Sequence, residues 1–359
     1  MMLNKFSPTQ LLGMGFAFLQ RFHQQKIRTF SLLFAVGLSL TLAVSACSPS
    51  ASNNGTQETT SPSPAASGTT VHIGYQKAST VLYALKARGE LEKAFAASGS
   101  SVTWSEFPAG PPLLEALNAG SIDFGYTGES PPIFAQAGGV PLVYVAYDPW
   151  SPKAEAILVP KDSPIKSVAE LKGKKIAFAK GSNANYLLVK ALEKAGVQYS
   201  DIQRVTLTPA DARAVFERKN VDAWVIWDPY LAAAEAATGA RTLVDATGLA
   251  PNRGYYLAAK SFVDAKPDAL KIVLDQVKKV SSWAKNNPGE VAKFLSPALG
   301  IDAPVLEIAE KRREYDVLPL TDEVITKQQE VADTFYKIKL IPKEIKVKEI
   351  VWQGKVNNS

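Results

Sequence analysis

The chain has one cysteine, Cys47, and two histidines, His23 and His72, among its 359 residues. One thiol closes no internal disulfide, and so few thiols and imidazoles leave no material for thiolate or histidine metal centres or for Cys/His nucleophiles. Beyond the first fifty residues a Ser-His-acid triad would have to use His72, and no G-x-S-x-G elbow, P-loop or G-x-G-x-x-G turn supports one. A basic stripe is also missing. The formal charge is +6, but Lys5, Arg21, Lys26 and Arg28 precede Cys47 with no acid among them, so most of the excess sits at the front and a nucleic-acid surface loses its support. Nor does the apolar run at residues 30–44 reach the ~20 residues that span a bilayer. What remains is globular composition, 46 % hydrophobic and 21 % charged, enough for one large or two medium cores.

The front end reads as an export signal. A basic patch, residues 21–28, precedes that short apolar run, and 44-VSAC-47 places small side chains ahead of the lone cysteine. This resembles the lipobox of bacterial lipoproteins, which implies that residues 1–46 are removed and that Cys47 is lipidated as the first residue of the mature chain. The alternative for Cys47 is a free buried thiol, and translation from Met14 is open because the stretch before Arg21 is long. Residues 48–70 are Ser, Thr, Pro, Ala, Gly and Asn with one Gln and with Glu58 the only charge, so the segment cannot bury enough surface to repay its ordering entropy. It is expected to be a flexible tether, residues 47–70 with its anchor.

From residue 71 short β-branched or aromatic runs alternate with amphipathic stretches. The pattern predicts strands at 71–75, 102–107 and 122–126, with helices at 80–97 and 113–119 between them. Such a βαβαβ order predicts a mostly parallel sheet covered on both faces. After 156-AILVP-160 and a turn-rich bridge the rhythm restarts, with strands at 176–179, 204–207 and 222–227 and helices at 185–195 and 210–218. The expectation is α/β with two lobes. From about residue 260 helices follow one another, at 268–285, 288–295, 303–313 and 322–336, without a solenoid period.

Ligands of open α/β sheets bind beyond the carboxyl ends of strands, which selects four loops: 75-YQKAS-79, 126-YTGESPP-132, 179-AKGSNAN-185 and 226-IWDPY-230. Their hydroxyls, amides and backbone N–H groups suit an anion. In the first, Gln76 is the candidate. In the second, Thr127 and Gly128 are expected in an exposed turn, Ser130 as the N-cap and Pro131 at the first helical position. An anion there would use the Thr127 and Ser130 hydroxyls and the N–H groups of residues 128–130. Glu129 would then face the ligand's other end, order a water, or bond the opposite lobe. Ser182 and Asn183 are either a turn and cap or ligand donors, and Asn185 can offer its amide. Trp227 is either a core residue or one wall of an apolar slot. Glu129 and Asp228 are also the best carboxylates for acid–base work, so an enzyme on this scaffold is the rival reading.

The segments 104-WSEFPAGP-111, 127-TGE-129, 157-ILVPKDSPIKSV-168, 171-LKGKK-175 and 223-AWVIWDPY-230 together resemble the aliphatic-sulfonate-binding proteins of bacterial ABC importers, densely from residue 71 to 258 and more loosely beyond. The resemblance implies a type II periplasmic-binding fold, with lobe 1 at 71–157, lobe 2 at 158–254, and a return strand with C-terminal helices at 255–359. Crossings are expected near 157–160 and 255–258. It further implies a monomer without cofactor or metal that takes up an alkanesulfonate outside the cytoplasmic membrane and docks on a permease. Taurine, nitrate and pyrimidine precursors are the alternative ligands on this architecture, and a sensory role is open. Asn185 departs from relatives that often carry histidine, which touches tail specificity. Arg253 can supply a cation to the cleft or can be a surface residue at a hinge. Lys77 and Lys180 are weaker candidates, because long side chains on loops usually point to water.

Overall fold

The computed structural model describes residues 68–77 and 79–354; the expected export signal, Cys47 and the expected tether up to residue 67 lie outside the described residues. The chain opens with β1 (Thr70–Gln76), α1 (Thr80–Arg88), α2 (Glu90–Ala96), β2 (Ser101–Phe107) and α3 (Gly110–Asn118). It continues through β3 (Phe124–Gly128), α4 (Ser130–Ala137) and β4 (Leu142–Tyr147). One helix was expected over 80–97, and two form. Gly89 sits in the left-handed region at φ 61° and its N–H bonds the Lys86 carbonyl, which ends the first helix and turns the chain into the second.

A second set follows: β5 (Glu155–Val159), β6 (Lys175–Phe178), α5 (Asn183–Lys194), β7 (Gln203–Thr206), α6 (Pro209–Glu217), β8 (Ala223–Trp227), α7 (Tyr230–Thr238) and β9 (Arg241–Asp245). Then β10 (Gly254–Ala259) leads into five helices, α8 (Lys260–Ala265), α9 (Pro267–Asn286), α10 (Pro288–Leu299), α11 (Ala303–Lys311) and α12 (Asp322–Lys337). No helix of the described residues is long and apolar enough to cross a membrane.

The strands make two five-stranded sheets, ordered β2-β1-β3-β10-β4 and β7-β6-β8-β5-β9. Both are mixed, where a mostly parallel sheet was expected. β1 is parallel to β2 and β3, and β6 to β7 and β8, but β10 runs antiparallel to β3 and β4, and β5 antiparallel to β8 and β9. The cause is the route of the chain between sheets. β5 and β10 each arrive from the other lobe at the end of the sheet where the parallel strands finish, so Glu155 lies opposite Trp227 and Gly254 opposite Gly128. Each must run away from that end. The lobe boundary expected at 157/158 and the crossings expected at 157–160 and 255–258 therefore fall inside strands. The chain changes sheet through residues 148–154 and 246–253.

Strand β5 shows why the second sheet is closed on both sides. Ala156 and Leu158 face one core with Trp224, Phe216 and Leu231, while Ile157 and Val159 face the other with Phe178, Leu187 and Leu188. Alternation thus sends two apolar sets to opposite faces, the pattern of a strand covered twice. Trp224 is fully buried, and truncating such a side chain to alanine costs about 3–5 kcal/mol. In the first lobe α9 lays Leu270, Val273, Leu274 and Val277 into the main core at helical spacing.

Candidate functional site

The parallel strands of both sheets end facing one another, and their loops enclose a cavity of about 80 Å³. Gln76, Ser79, Gly110, Tyr126, Gly128 and Pro131 line it from the first lobe, and Ser182, Asn183 and Trp227 from the second. The crossings add Asp148, Ser151, Asn252 and Arg253, the start of β10 adds Gly254, and the segment after α11 adds Arg313, Glu314 and Tyr315. The lobes meet closely. A Cβ on Gly128 would lie 2.2 Å from Asn183 Oδ1, so only glycine leaves room for that side chain. Asn183 Oδ1 accepts from the Ser130 N–H at 3.1 Å and its Nδ2 donates to Asn252 Oδ1 at 3.0 Å, joining α4, α5 and the second crossing.

Arg253 is 5 % exposed, and its Nε has no hydrogen-bond partner among the described residues. Its guanidinium lies over the rings of Tyr147 at 4.9 Å and Trp150 at 5.2 Å. The neighbouring Asp148 is engaged elsewhere. It accepts from Tyr126 Oη at 2.5 Å and from the Gly254 N–H at 2.6 Å, and burial pushes it up to about 6 against those two bonds. Arg313 donates to the Asp228 carbonyl, while Tyr315, Glu310 and other acidic neighbours outweigh burial and hold it above its usual range. Among the described residues no three His, Cys, Asp or Glu side chains gather in the manner of a metal centre. Chemically, the cavity offers a buried cation and hydrogen-bonding groups from both lobes, the elements of an anion site that closes on its ligand.

Just behind the cavity two carboxyl groups are held by the protein itself. Glu129 Oε2 accepts from the Arg253 N–H at 2.8 Å, its Oε1 has no hydrogen-bond partner among the described residues, and burial pushes the group up to about 7 despite that bond. Asp228 Oδ1 accepts from the Ala232 N–H at 3.0 Å at the start of α7, and its Oδ2 lies 3.5 Å from Arg312. Burial pushes Asp228 up to about 6, with Arg312 pulling the other way.

Residues 95–291 match the family described as NMT1/THI5 like. An Escherichia coli (strain K12) protein named for binding aliphatic sulfonates is 45 % identical over 284 residues, 79 % of this chain and 88 % of its own length. The chain belongs to the aliphatic-sulfonate-binding protein family. Two solved members carry the same architecture. The alkanesulfonate-binding protein SsuA from Xanthomonas axonopodis pv. citri, bound to MOPS, superposes with a TM-score of 0.76 at 42 % identity, covering 79 % of this chain and 98 % of its own. The periplasmic SsuA from Escherichia coli gives 0.73 at 44 % identity, covering 82 % and 95 %.

Against this family fold, six of the residues singled out in the sequence reach the cavity wall: Gln76, Gly128, Ser182, Asn183, Trp227 and Arg253. Trp227 ends its strand half-buried and is thus a wall residue. Arg253 is buried and faces the cavity. Others fall elsewhere. Thr127 and Gly128 belong to β3 and not to an exposed turn, and the Thr127 hydroxyl donates to the Gly128 carbonyl at 2.9 Å. Ser130 is the first helical residue rather than the cap, and its buried Oγ has no hydrogen-bond partner among the described residues. Pro131 follows it at the second position. Ser182 does precede α5, yet its hydroxyl donates back to the Ala179 carbonyl at 2.6 Å and makes no cap. Asn185 is spent within its own lobe, accepting from the Gly181 N–H at 3.1 Å and donating to Tyr199 Oη at 2.9 Å. Glu129 and Asp228 stand outside the wall, in the bonds described above. Lys77 pairs with Glu106 on the surface at 3.7 Å, and Lys180 is not part of the wall.

The residues missed are Tyr126, Asp148, Asn252 and Arg313. Tyr126 lies within β3 and inside a selected loop but was given no role; Asp148 follows β4, so the strand-end rule could have found it had β4 been recognised. Asn252 has a positive φ of 45°, unusual outside glycine, and it sits in the crossing. Arg313 carries no local signal, because it follows a C-terminal helix and only the packing of that helix brings it to the cleft.

Proposed function

We propose that this protein captures aliphatic sulfonates outside the cytoplasmic membrane and delivers them to the permease of an ABC importer for sulfur acquisition. The observation that carries the reading is Arg253, a buried guanidinium that faces the interlobe cavity without a carboxylate partner among the described residues. A sulfonate is a single, permanently charged anion, and its three oxygens match a cation and several hydrogen-bond donors placed around one end of a cavity. Asn183 and Ser182 from one lobe and Gln76 and the Gly128 backbone from the other would share those oxygens, while Trp227 faces the alkyl part. The two relatives compared above are named as binding proteins, and the acid nearest Arg253 in the wall, Asp148, is engaged by Tyr126 and the Gly254 N–H; binding without turnover is the reading.

The protein acts as a monomer, without metal or cofactor, from the outer face of the membrane to which the lipidated Cys47 ties it. Calorimetry against 1-pentanesulfonate, MOPS, taurine, nitrate, sulfate and hydroxymethylpyrimidine tests the ligand class. Tight stoichiometric binding of 1-pentanesulfonate and MOPS is expected, and binding of nitrate or the pyrimidine alone overturns the claim. Exchanging Cys47 for serine should release the protein from the membrane fraction; retention there sinks the anchor.

A further inference from the structure

We propose that Trp150, together with Tyr147, is a positioning residue of the anion site: the two rings lie against the Arg253 guanidinium and leave its Nε free for a ligand. This rests on the reading of Arg253 as the anion anchor and names what keeps it ready.

The donors of a guanidinium all lie in one plane. A carboxylate would occupy two of them and cancel the charge, so an incoming anion would have to displace it. An aromatic face attracts the cation through its quadrupole and consumes no N–H. Arg253 is held mainly in the second way, over Tyr147 at 4.9 Å and Trp150 at 5.2 Å, with Tyr255 also in hydrogen-bonding reach and Nε unpartnered among the described residues. Arg312, at the same junction of the lobes, is held in the first way, with Glu235 at 2.7 Å and Asp228 at 3.5 Å.

The seat is built on the crossings. Tyr147 ends β4 and Trp150 lies in residues 148–154, whereas Arg253 lies in residues 246–253. Backbone bonds lock the two segments together: the Asp148 N–H donates to the Gly254 carbonyl at 3.1 Å, and the Gly254 N–H donates to Asp148 Oδ1 at 2.6 Å. Asn252 Nδ2 adds a bond to the Ser151 carbonyl at 2.8 Å. The rings therefore stand at a fixed place relative to the arginine, and both ride on the hinge.

Core packing does not account for Trp150. It is 42 % exposed, one of three large exposed hydrophobic side chains among the described residues. It also borders a second, outer cavity of about 520 Å³, shared with Pro152, Tyr186, Leu249 and Pro251. The indole thus stands between the guanidinium and water on that side. Removing it would admit solvent to Arg253 and free the side chain to turn, and both changes weaken a charge-assisted bond to an anion.

Titration of the unliganded protein with 1-pentanesulfonate, followed by calorimetry, tests this. Trp150→Ala is expected to raise Kd about 10-fold while the Tm of the unliganded protein stays within about 2 °C. Trp150→Phe, which restores a ring, should return Kd to within about 3-fold of the wild type. In an Arg253→Gln background Trp150→Ala should change nothing further, because the seat then has no occupant. An unchanged Kd for Trp150→Ala beside a large loss for Arg253→Gln overturns the seat and leaves the anchor standing. Trp150→Phe as weak as Trp150→Ala also overturns it. A wild-type Kd for Arg253→Gln removes the anchor reading itself, and the seat with it.

Discussion

The Arg253 guanidinium rests on two aromatic rings and faces a cavity, whereas Arg312, at the end of α11, reaches across to α7 and meets Glu235 and Asp228. The first lies on a crossing between lobes. The second joins the C-terminal part of the first lobe to the second lobe, and Arg313 beside it donates to the Asp228 carbonyl. The contrast teaches that the partners of an arginine decide its work. A guanidinium paired with carboxylates fastens protein to protein, and one set against rings without a carboxylate keeps Nε for something else.

The comparison can be broken first at its ligand side. Arg253→Gln should weaken 1-pentanesulfonate binding by about 100-fold or more, the loss expected when one half of a buried charged pair is removed, with little change in unliganded stability. Equal loss of stability and affinity would make Arg253 a structural residue. At the other arginine the order reverses. Arg312→Ala leaves the buried Asp228 carboxylate short of a partner and should lower unfolding free energy by about 1–3 kcal/mol in urea titrations, with ligand release accelerated only several-fold. A loss of binding as severe as that of Arg253→Gln would merge the two roles.

Acidity separates the sides more gently. Asp148 and Asp228 are pushed up to about 6 and Glu129 to about 7, all above their ordinary 3.8 to 4.5, so each holds its proton more firmly in the folded state than in the unfolded one. Their contribution is complete below the unfolded values and is lost as pH rises through 6 to 7. Tm should therefore climb as pH falls from 8 to 5. Glu129→Gln should flatten the part of the curve near 7, and Asp228→Asn the part near 6. A Tm that drops over that window would contradict the sign. The smallest effect is predicted for Asn185→Ala, which removes bonds to Gly181 and Tyr199 inside one lobe. It should cost about 1–2 kcal/mol of stability and leave the sulfonate Kd unchanged. A shifted Kd would return Asn185 to the site.

Much of the fold was legible because the relevant signals are local. Helical spacing at Leu82 and Leu85 and the apolar run 156–159 depend on neighbours a few residues away. The Gly89 break was less visible, since a glycine within a helical pattern is compatible with both one helix and two. β4 and β9 escaped notice as strands, and with β4 went Asp148, the cavity carboxylate at its end. Of the candidate site, the loops that end parallel strands were found, but the use of each side chain was not. Asn185 looked like a ligand amide and Asp228 like an acid–base carboxylate, yet the first is spent on the Gly181 N–H and the Tyr199 hydroxyl and the second on the Ala232 N–H and Arg312.

By itself the sequence determined the two-lobed α/β alternation, the strand ends that meet at the cleft and the presence of Arg253 beside the return strand. Periodicity and turn chemistry act over a few residues and survive in a linear reading. Only the tertiary structure decided that both sheets are mixed, that residues 148–154 and 246–253 carry the chain across, and that Arg313 reaches the cavity from the C-terminal helices. It also decided which arginine meets rings and which meets carboxylates. Those outcomes depend on side chains far apart in the chain competing for the same hydrogen bonds and charges, and that competition takes place only once the lobes have folded against each other.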